Sequence, residues 1–320
     1  MSEASRQPFD GRTIPAGATE SRWIAPDGHA IRRIDWPAPQ PCRGSILFLP
    51  GRGDFYEKYL EALAYWNSRG WRVTSADWRG QAGSGRLGSD AVTGHVGDFV
   101  QWVDDLAALW EDWKASTPGP HVLAAHSMGG HIVLRALVER RVDPDAMVLS
   151  APMLGFHTYG LPLPVLHVAA RLMCALGDRR RPAWKWSEKP GQVPEGRDVL
   201  LTHDARRYED EMVWREQRPE LVMGPGSWGW VERAYASARL MFAAGRLEAV
   251  GTPVFIVATS EDKLVSADAI RLAARRLPAC EMLMFGKEAR HEILREADGV
   301  RDRALAAIDD FLDRKAPKRN

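Results

Sequence analysis

Short apolar runs alternate with segments of helical periodicity through the first half of the chain. Residues 56–69 and 98–116 place apolar side chains on one face at a spacing of three or four residues, which predicts amphipathic helices between the apolar runs. Strands that alternate with helices favour a mostly parallel sheet covered on both faces. Four runs are bounded by Gly, Pro or polar residues, as is typical of buried strands: residues 44–50, 71–77, 121–126 and 146–151.

The alternation stops at Pro152 and resumes at Pro253. The intervening residues are irregular and rich in proline and tryptophan, which indicates an insertion into one sheet domain. After it the pattern predicts two strands and two helices: strands at 253–259 and 280–285, and helices at 266–277 and 298–314. We therefore predict five segments: a flexible N-terminus at 1–20, a core at 21–152 and 251–314, a helical cap at 153–250 and a frayed tail at 315–320.

Composition narrows the function classes. A 320-residue chain with 45% apolar residues can bury a large core, and its net charge of +1 gives no reason to expect nucleic-acid binding. The N-terminus lacks the apolar centre of a signal peptide, and no apolar run reaches the ~18 residues that span a membrane. Three dispersed cysteines are typical of reduced thiols, not of a disulfide framework or a zinc site. The expected location is the cytoplasm.

The predicted strand at 121–126 overlaps the segment Ala125-His-Ser-Met-Gly129, which is a variant of the G-x-S-x-G pattern. This sequence predicts a nucleophile elbow, in which a sharp strand-to-helix turn presents Ser127. Alanine suits the first position because the turn needs small residues. The alternative is a serine that only caps the helix.

A nucleophilic serine needs a base and a carboxylate that orients the base. The strand at 253–259 is followed by Glu261 and Asp262, and the loop after the next strand carries His291. Asp262 is the predicted acid and Glu261 the alternative, although either could be a solvated loop charge. The order Ser, Asp, His at the ends of three strands favours a catalytic triad.

The oxyanion of an acyl-transfer intermediate needs backbone N–H donors. One is expected from Met128, directly after the nucleophile. The loop Pro50-Gly-Arg-Gly-Asp54 follows an early strand and gives the Arg52 amide as the second candidate. An ordinary Gly-rich loop is the alternative.

Together these motifs resemble the α/β-hydrolase serine hydrolases that group monoacylglycerol lipases with bacterial lysophospholipases, and within them the lysophospholipases associated with the inner membrane. The resemblance covers about residues 20 to 313 and implies an acyl-enzyme on Ser127, the triad Ser127, Asp262 and His291, oxyanion donors Arg52 and Met128, and no cofactor or metal. It rests on the elbow and on these segments: 50–54, 77–81 with Gly83 and Gly85, 260–262, 290–294, 201–204, 207–208 and 226–230.

The resemblance also implies substrate contacts at Gly51, Asp54, Lys58 and Trp228. Monoacylglycerol lipases typically have Glu and Arg at the positions of Asp54 and Lys58, which favours a lysophospholipase over a monoacylglycerol lipase. The alternatives that stay open are a monoacylglycerol lipase, a general carboxylesterase, an aminopeptidase-like amide hydrolase and a non-catalytic binding scaffold.

Two motifs that would indicate a cofactor or a metal are weaker evidence than the predicted triad. Gly83-Ser-Gly-Arg-Leu-Gly88 fits the dinucleotide fingerprint, but it neither follows a strand directly nor opens a helix. His126 and His131 flank Ser127 without a carboxylate at zincin spacing, so packing roles are favoured over a metal site. His126 is conceivable as the base, but its place in the turn points it away.

The cap suggests how a lipid could bind. Residues 161–176 are largely apolar, and Arg179–Arg181, Lys185, Trp184 and Trp186 follow them. One interpretation is a helix packed on the core. The other is a lid that holds an acyl chain and contacts an anionic lipid surface, with peripheral association at the inner membrane.

Overall fold

A computed structural model describes residues 9–156, 161–185 and 196–318. Its eight strands are β1 (Thr19–Ile24), β2 (Ala30–Trp36), β3 (Gly44–Leu49), β4 (Trp71–Ala76), β5 (His121–His126), β6 (Ala146–Ser150), β7 (Val254–Thr259) and β8 (Cys280–Phe285). They form one sheet in the order β1-β2-β4-β3-β5-β6-β7-β8. The pairs β1·β2 and β2·β4 are antiparallel and the other five are parallel, so the predicted mostly parallel sheet is confirmed.

Helices cover both faces of the sheet. In the described residues they are α1 (Leu60–Ser68), α2 (Phe99–Ser116), α3 (Ser127–Val138), α4 (Leu163–Ala175), α5 (Asp198–Leu201), α6 (Ala205–Gln217), α7 (Trp228–Met241), α8 (Ala267–Arg276) and α9 (Asp298–Lys315). α1 and α9 pack on one face. α2, α3 and α8 pack on the other.

Strand β3 explains why the sequence shows unbroken apolar runs. Ile46 and Phe48 point into the cluster that contains α1 and α9. Leu47 and Leu49 point into the opposite cluster. A central parallel strand is buried on both faces, so both sets of alternating positions must be apolar.

The predicted cap residues lie between two neighbouring strands. β6 and β7 pair in register, with Leu149 opposite Ile256. The chain therefore leaves the sheet after β6 and returns beside it, and the described part of the insertion contributes helices α4 to α7. In the described part of the chain, no helix combines the length and the apolarity needed to span a membrane.

The chain ends differ from the prediction in detail. Thr19 already belongs to β1, so the first strand begins inside the segment predicted to be flexible. Upstream of it, Phe9 and Ile14 pack on an apolar cluster that includes Trp214 of α6, because both side chains are apolar. At the other end α9 reaches Lys315. Residues 1–8 and 319–320 lie outside the described residues.

Candidate active site

Ser127 lies at the turn between β5 and α3, and its backbone has a φ of 49°. A left-handed conformation costs a non-glycine residue about 1–3 kcal/mol, so the surrounding packing must enforce it. A Cβ atom on Gly129 would lie 2.4 Å from the Pro50 carbonyl oxygen. The Met153 amide donates to the Ser127 carbonyl at 2.9 Å. The strand, the tight turn and the helix thus hold the Ser127 hydroxyl at the carboxyl edge of the sheet.

His291 lies between Ser127 and Asp262. Its Nε2 is 2.9 Å from the Ser127 Oγ, and its Nδ1 is 2.7 Å from the Asp262 Oδ2. The other oxygen of Asp262 accepts the backbone N–H groups of Leu264 and Val265 at 2.8 and 3.0 Å. Because Asp262 follows β7 and His291 follows β8, the structure brings the three predicted side chains together at one sheet edge.

Electrostatics favour a charged Asp262–His291 pair. Burial opposes charge on Asp262, but His291 and the two backbone amides hold the pKa of its carboxyl below its ordinary value. Burial also opposes a positive His291, yet the Asp262 carboxylate raises the pKa of the imidazole above its ordinary value. Glu261, the alternative acid, is exposed.

The two other histidines of the elbow have different partners. His126 packs edge-on against His291, with ring centroids 4.7 Å apart, and burial followed by the nearby His291 lowers its pKa to about 4. His131 is buried between the Met153 carbonyl oxygen at 3.0 Å and the Ser237 hydroxyl at 2.7 Å. Burial lowers the pKa of His131 to about 4 as well. Both rings therefore stay neutral at pH 7.

The candidate oxyanion loop is fixed on either side of Arg52. The Gly51 amide donates to the Asp54 Oδ2 at 3.1 Å, and the Gly53 amide donates to the Gln81 Oε1 at 2.8 Å. The Gln81 amide nitrogen also lies 3.7 Å from the sulfur of Met128, the other predicted donor residue. A Cβ on Gly51 would lie 3.1 Å from the Ser127 Cβ, so this glycine lets the loop approach the nucleophile.

Asp54 and Lys58 belong to a buried charge cluster. The Lys58 Nζ is 2.6 Å from carboxylate oxygens of both Asp54 and Glu292, and 3.0 Å from Glu211 of α6. The Lys58 side chain has no exposed surface, and among the described residues Lys58 is not one of those that line the cavity next to Ser127, where the predicted substrate contact would lie. Asp54, His126 and Glu292 offer ligand atoms within 4.8 Å of one another, as a metal site would. In this group, however, the carboxylates of Asp54 and Glu292 are both paired with the ammonium of Lys58.

The insertion holds the loop that carries His291. The Glu292 amide donates to the Leu201 carbonyl at 2.8 Å, and the Thr202 hydroxyl donates to the Arg295 carbonyl at 2.8 Å. The buried Glu296 carboxylate accepts from the Arg290 amide at 2.8 Å and pairs with His203. We refer to residues 198–211 as the clamp segment. None of these contacts could be inferred from the sequence, because the two segments are about ninety residues apart.

A cavity of about 570 Å³ opens onto Ser127 and His291. It is lined by Asp54 and Trp228, two of the residues proposed to contact the substrate, and by Arg52, whose guanidinium packs on Trp184 and Trp230 at 5.1 and 5.2 Å. Trp186 lies outside the described residues. No sequence pattern identified the further lining residues Met153, Phe156, Arg197, Leu201, Tyr235, Lys263 and Glu292.

The elbow, the order of the three side chains and the sheet topology define an α/β-hydrolase. Within this class the chain belongs to the family described as "Serine aminopeptidase, S33", whose model matches residues 40–298. The predicted resemblance to the α/β-hydrolase serine hydrolases that group monoacylglycerol lipases with bacterial lysophospholipases is confirmed.

Among curated proteins, the chain is 30% identical to lysophospholipase L2 of Escherichia coli K12, over 92% of this chain and 87% of that protein. It is 24% identical to a monoacylglycerol lipase of Mycolicibacterium smegmatis, over 82% of this chain and 86% of that protein. A soluble variant of monoglyceride lipase from Saccharomyces cerevisiae, solved with a substrate analogue, has the same fold with a TM-score of 0.74 and 17% identity, covering 98% of this chain and 99% of that one.

Proposed function

We propose that this protein is a serine hydrolase that cleaves the carboxylic ester of monoacyl lipids, acting as a lysophospholipase through an acyl-enzyme on Ser127. The observation that carries the proposal is the hydrogen-bonded series from the Ser127 Oγ to the His291 Nε2 at 2.9 Å and from the His291 Nδ1 to the Asp262 Oδ2 at 2.7 Å. It lies at the wall of a cavity of about 570 Å³, large enough for part of an acyl chain.

The mechanism uses the neutral form of His291, which predominates above the pKa of its imidazole. With its Nδ1–H donated to Asp262, His291 presents an unprotonated Nε2 that takes the Ser127 proton as the hydroxyl oxygen attacks the ester carbonyl. Asp262 stabilises the resulting imidazolium. The backbone N–H groups of Arg52 and Met128 are the proposed donors to the oxyanion. His291 then gives its proton to the leaving alcohol, and water releases the fatty acid by the same steps in reverse.

The choice of ester rests on the relatives. The Escherichia coli protein carries the name lysophospholipase L2, and its similarity extends over most of both chains. A monoacylglycerol lipase is the second candidate, favoured by the name of the Mycolicibacterium smegmatis relative. An aminopeptidase would need a carboxylate for the substrate amino group. Among the described residues of the cavity wall, the two carboxylates, those of Asp54 and Glu292, are paired with Lys58 instead.

We also propose that the outer face of α4 contacts a lipid surface. The inner face packs on α7, where His167 meets Glu232 at 3.0 Å. On the outer face, side chains spaced by three or four residues lie within about 80° of arc at 100° per residue. These apolar side chains are 52–70% exposed: Val165, Val168 and Leu172 of α4, and Leu176 directly after it. The exposed Arg171, Arg179 and Lys185 nearby suit an anionic surface.

The catalytic proposal is tested with Ser127→Ala and a fluorophosphonate probe. We expect wild-type protein to be labelled at Ser127 and to hydrolyse lysophospholipids. In the variant, both the labelling and the rate of hydrolysis should fall by several orders of magnitude. Turnover by Ser127→Ala near the wild-type rate would contradict the mechanism. A protein that is labelled but cleaves only a peptide anilide would instead be an amide hydrolase.

The lipid-surface proposal is tested by sedimentation with vesicles that contain phosphatidylglycerol. Leu172→Asp on α4 should weaken binding at low salt, because it places a charge on the proposed contact face. Leu272→Asp, on the exposed face of α8, is the matched control and should bind like wild type. Equal binding by both variants, or no binding by wild type, rules the surface out.

A further inference from the structure

Positive charge is concentrated at the wall of the proposed active-site cavity. Among the described residues that line it, three side chains are cationic: Arg52, Arg197 and Lys263. None of them is needed by the triad chemistry. Lys263 is next to Asp262 in the chain, Arg52 belongs to the loop that approaches Ser127, and Arg197 lies near Glu211 of the buried charge cluster. This placement suggests that all three contact one ligand.

The negative groups of the wall are already matched by cations behind it. Asp54 and Glu292 share the ammonium of Lys58, and Glu292 is also bonded to Arg295. Arg197 lies 3.9 Å from Glu211. That carboxylate also faces Lys58, Arg295 and Arg215, at 3.0, 3.2 and 3.6 Å. The carboxylates of Asp54, Glu292 and Glu211 are thus all paired with cations that lie behind the wall.

The three cations line the same cavity as the reacting serine. Arg52 follows Gly51, whose backbone approaches Ser127 closely. Its guanidinium is held by the Gly224 carbonyl at 2.6 Å and by two tryptophan rings, which fixes its position at the wall. Lys263 directly follows the triad acid, and Arg197 directly precedes the clamp segment. A fixed guanidinium and further cations are the groups that recognise phosphate oxygens.

We propose that Arg52, Arg197 and Lys263 form a subsite for the phosphate of the leaving alcohol, so that the cavity prefers monoacyl lipids with a phosphate headgroup over uncharged monoacylglycerols. The inference rests on the proposed ester hydrolysis and adds to it the residues that would select the headgroup. A glycerol backbone separates the phosphate from the ester by only its own length, so both groups fit one cavity that contains Ser127.

The first arm measures binding without turnover. Ser127→Ala protein is titrated by calorimetry with 1-O-octylglycerol 3-phosphate and with uncharged 1-O-octylglycerol, two ethers that cannot be hydrolysed. We expect the phosphate compound to bind at least tenfold more tightly, and Arg197→Gln or Lys263→Gln to reduce that preference severalfold each, since charge-assisted hydrogen bonds are the stronger ones. Arg246→Gln, at an exposed position outside the cavity wall, is the matched control.

The second arm compares kcat/KM for lysophosphatidylglycerol and monoacylglycerol with the same acyl chain, in neutral mixed micelles. The ratio of the two kcat/KM values should exceed ten in the wild-type enzyme and fall about tenfold in Arg197→Gln. Arg197→Lys should restore the ratio in part. Arg52 is left unchanged because its amide is a proposed oxyanion donor. Equal affinities for the two ethers, or a kcat/KM ratio in Arg197→Gln equal to that of the wild-type enzyme, overturns the subsite.

An anion site could instead serve the fatty-acid product. Octanoate is therefore titrated in parallel, and a loss of octanoate binding alone in Arg197→Gln also overturns the phosphate assignment. If no ester is cleaved but the phosphate ether binds as expected, the subsite stands and the proposed hydrolysis fails. The two failures are thus distinguishable.

Discussion

The amide of Glu292 donates a hydrogen bond of 2.8 Å to the carbonyl of Leu201, which joins the residue after the proposed catalytic base to the inserted segment. The Thr202 hydroxyl adds a bond of 2.8 Å to the Arg295 carbonyl. These contacts mean that the clamp segment positions His291 as well as bounding the cavity. A shift of about 1 Å in a catalytic group can reduce turnover 100-fold, so the clamp should affect rate.

We expect Thr202→Val to lower kcat on a short p-nitrophenyl ester about tenfold with little change in KM, because it removes one buried hydrogen bond to the His291 loop. Thr202→Ser keeps the hydroxyl and should restore most of the rate. Glu216→Gln, on the exposed side of α6, serves as control. Steady-state kinetics, with melting temperatures to verify folding, decide the matter. A rate for the valine variant equal to that of the serine variant would show that the bond is only structural.

The activity should depend on pH through His291. The base must be neutral to accept a proton, and Asp262 raises the pKa of this imidazole above its ordinary value of 6.5. We therefore expect kcat/KM to rise with pH with a midpoint above 6.5. Asp262→Asn removes the negative charge, so the midpoint should move to lower pH while the plateau falls about 10⁴-fold. A pH–rate profile of both proteins measures the two effects. A midpoint that stays in place would separate Asp262 from His291.

The same pair affects stability with a defined sign. Because the folded state raises the pKa of His291, the contribution of the charged pair is complete below the unfolded pKa and is lost as pH rises through the folded one. The catalytically active form is therefore the form in which the Asp262–His291 attraction contributes less to folding.

Lys58 should be important for folding. Its ammonium lies within 3.0 Å of three buried carboxylates, those of Asp54, Glu211 and Glu292. Lys58→Met leaves them without that partner, and removal of one member of a buried ion pair costs about 3–5 kcal/mol. Lys114→Met breaks the exposed pair with Asp143 and should cost less than about 1 kcal/mol. Urea denaturation measures both. Comparable losses for the two variants would contradict a structural role for the cluster.

Gly129 should tolerate no side chain. A Cβ there would lie 2.4 Å from the Pro50 oxygen and 2.7 Å from the Leu49 oxygen, both rigid backbone atoms. We expect Gly129→Ala to displace the elbow and to reduce labelling of Ser127 by a fluorophosphonate at least tenfold. At Gly97 a Cβ meets nothing within 4 Å, so Gly97→Ala should be labelled like wild type. Normal labelling of the Gly129 variant would show that the elbow can shift without loss.

The sequence was informative where local pattern decides structure. The buried strands, the amphipathic helix at 99–116 and the elbow follow from periodicity and turn chemistry, and the sheet confirms the fold class. The antiparallel pair β1 and β2 was not predicted, because β1 is mostly exposed and Thr19–Ile24 lacks an apolar run. Its pairing with β2 instead supplies the hydrogen bonds that define it.

The site was predictable only in part for the same physical reason. Ser127, Asp262 and His291 each follow a strand, so chain order places them at one edge of the sheet. Lys58 was predicted as a substrate contact from the family resemblance, but it pairs with Glu211 of α6 and with Glu292, more than 150 residues away. Long-range ion pairs leave no local pattern in the sequence.

The clamp segment has a consequence for protein engineering. Inserts of related hydrolases are attractive modules to exchange when a new acyl preference is wanted. In this protein a transplant of residues 153–250 as one block would remove the Leu201 and Thr202 groups that hold the His291 loop. A working chimera has to keep residues 198–211 with the recipient and take only the preceding part of the insert, including α4, from the donor.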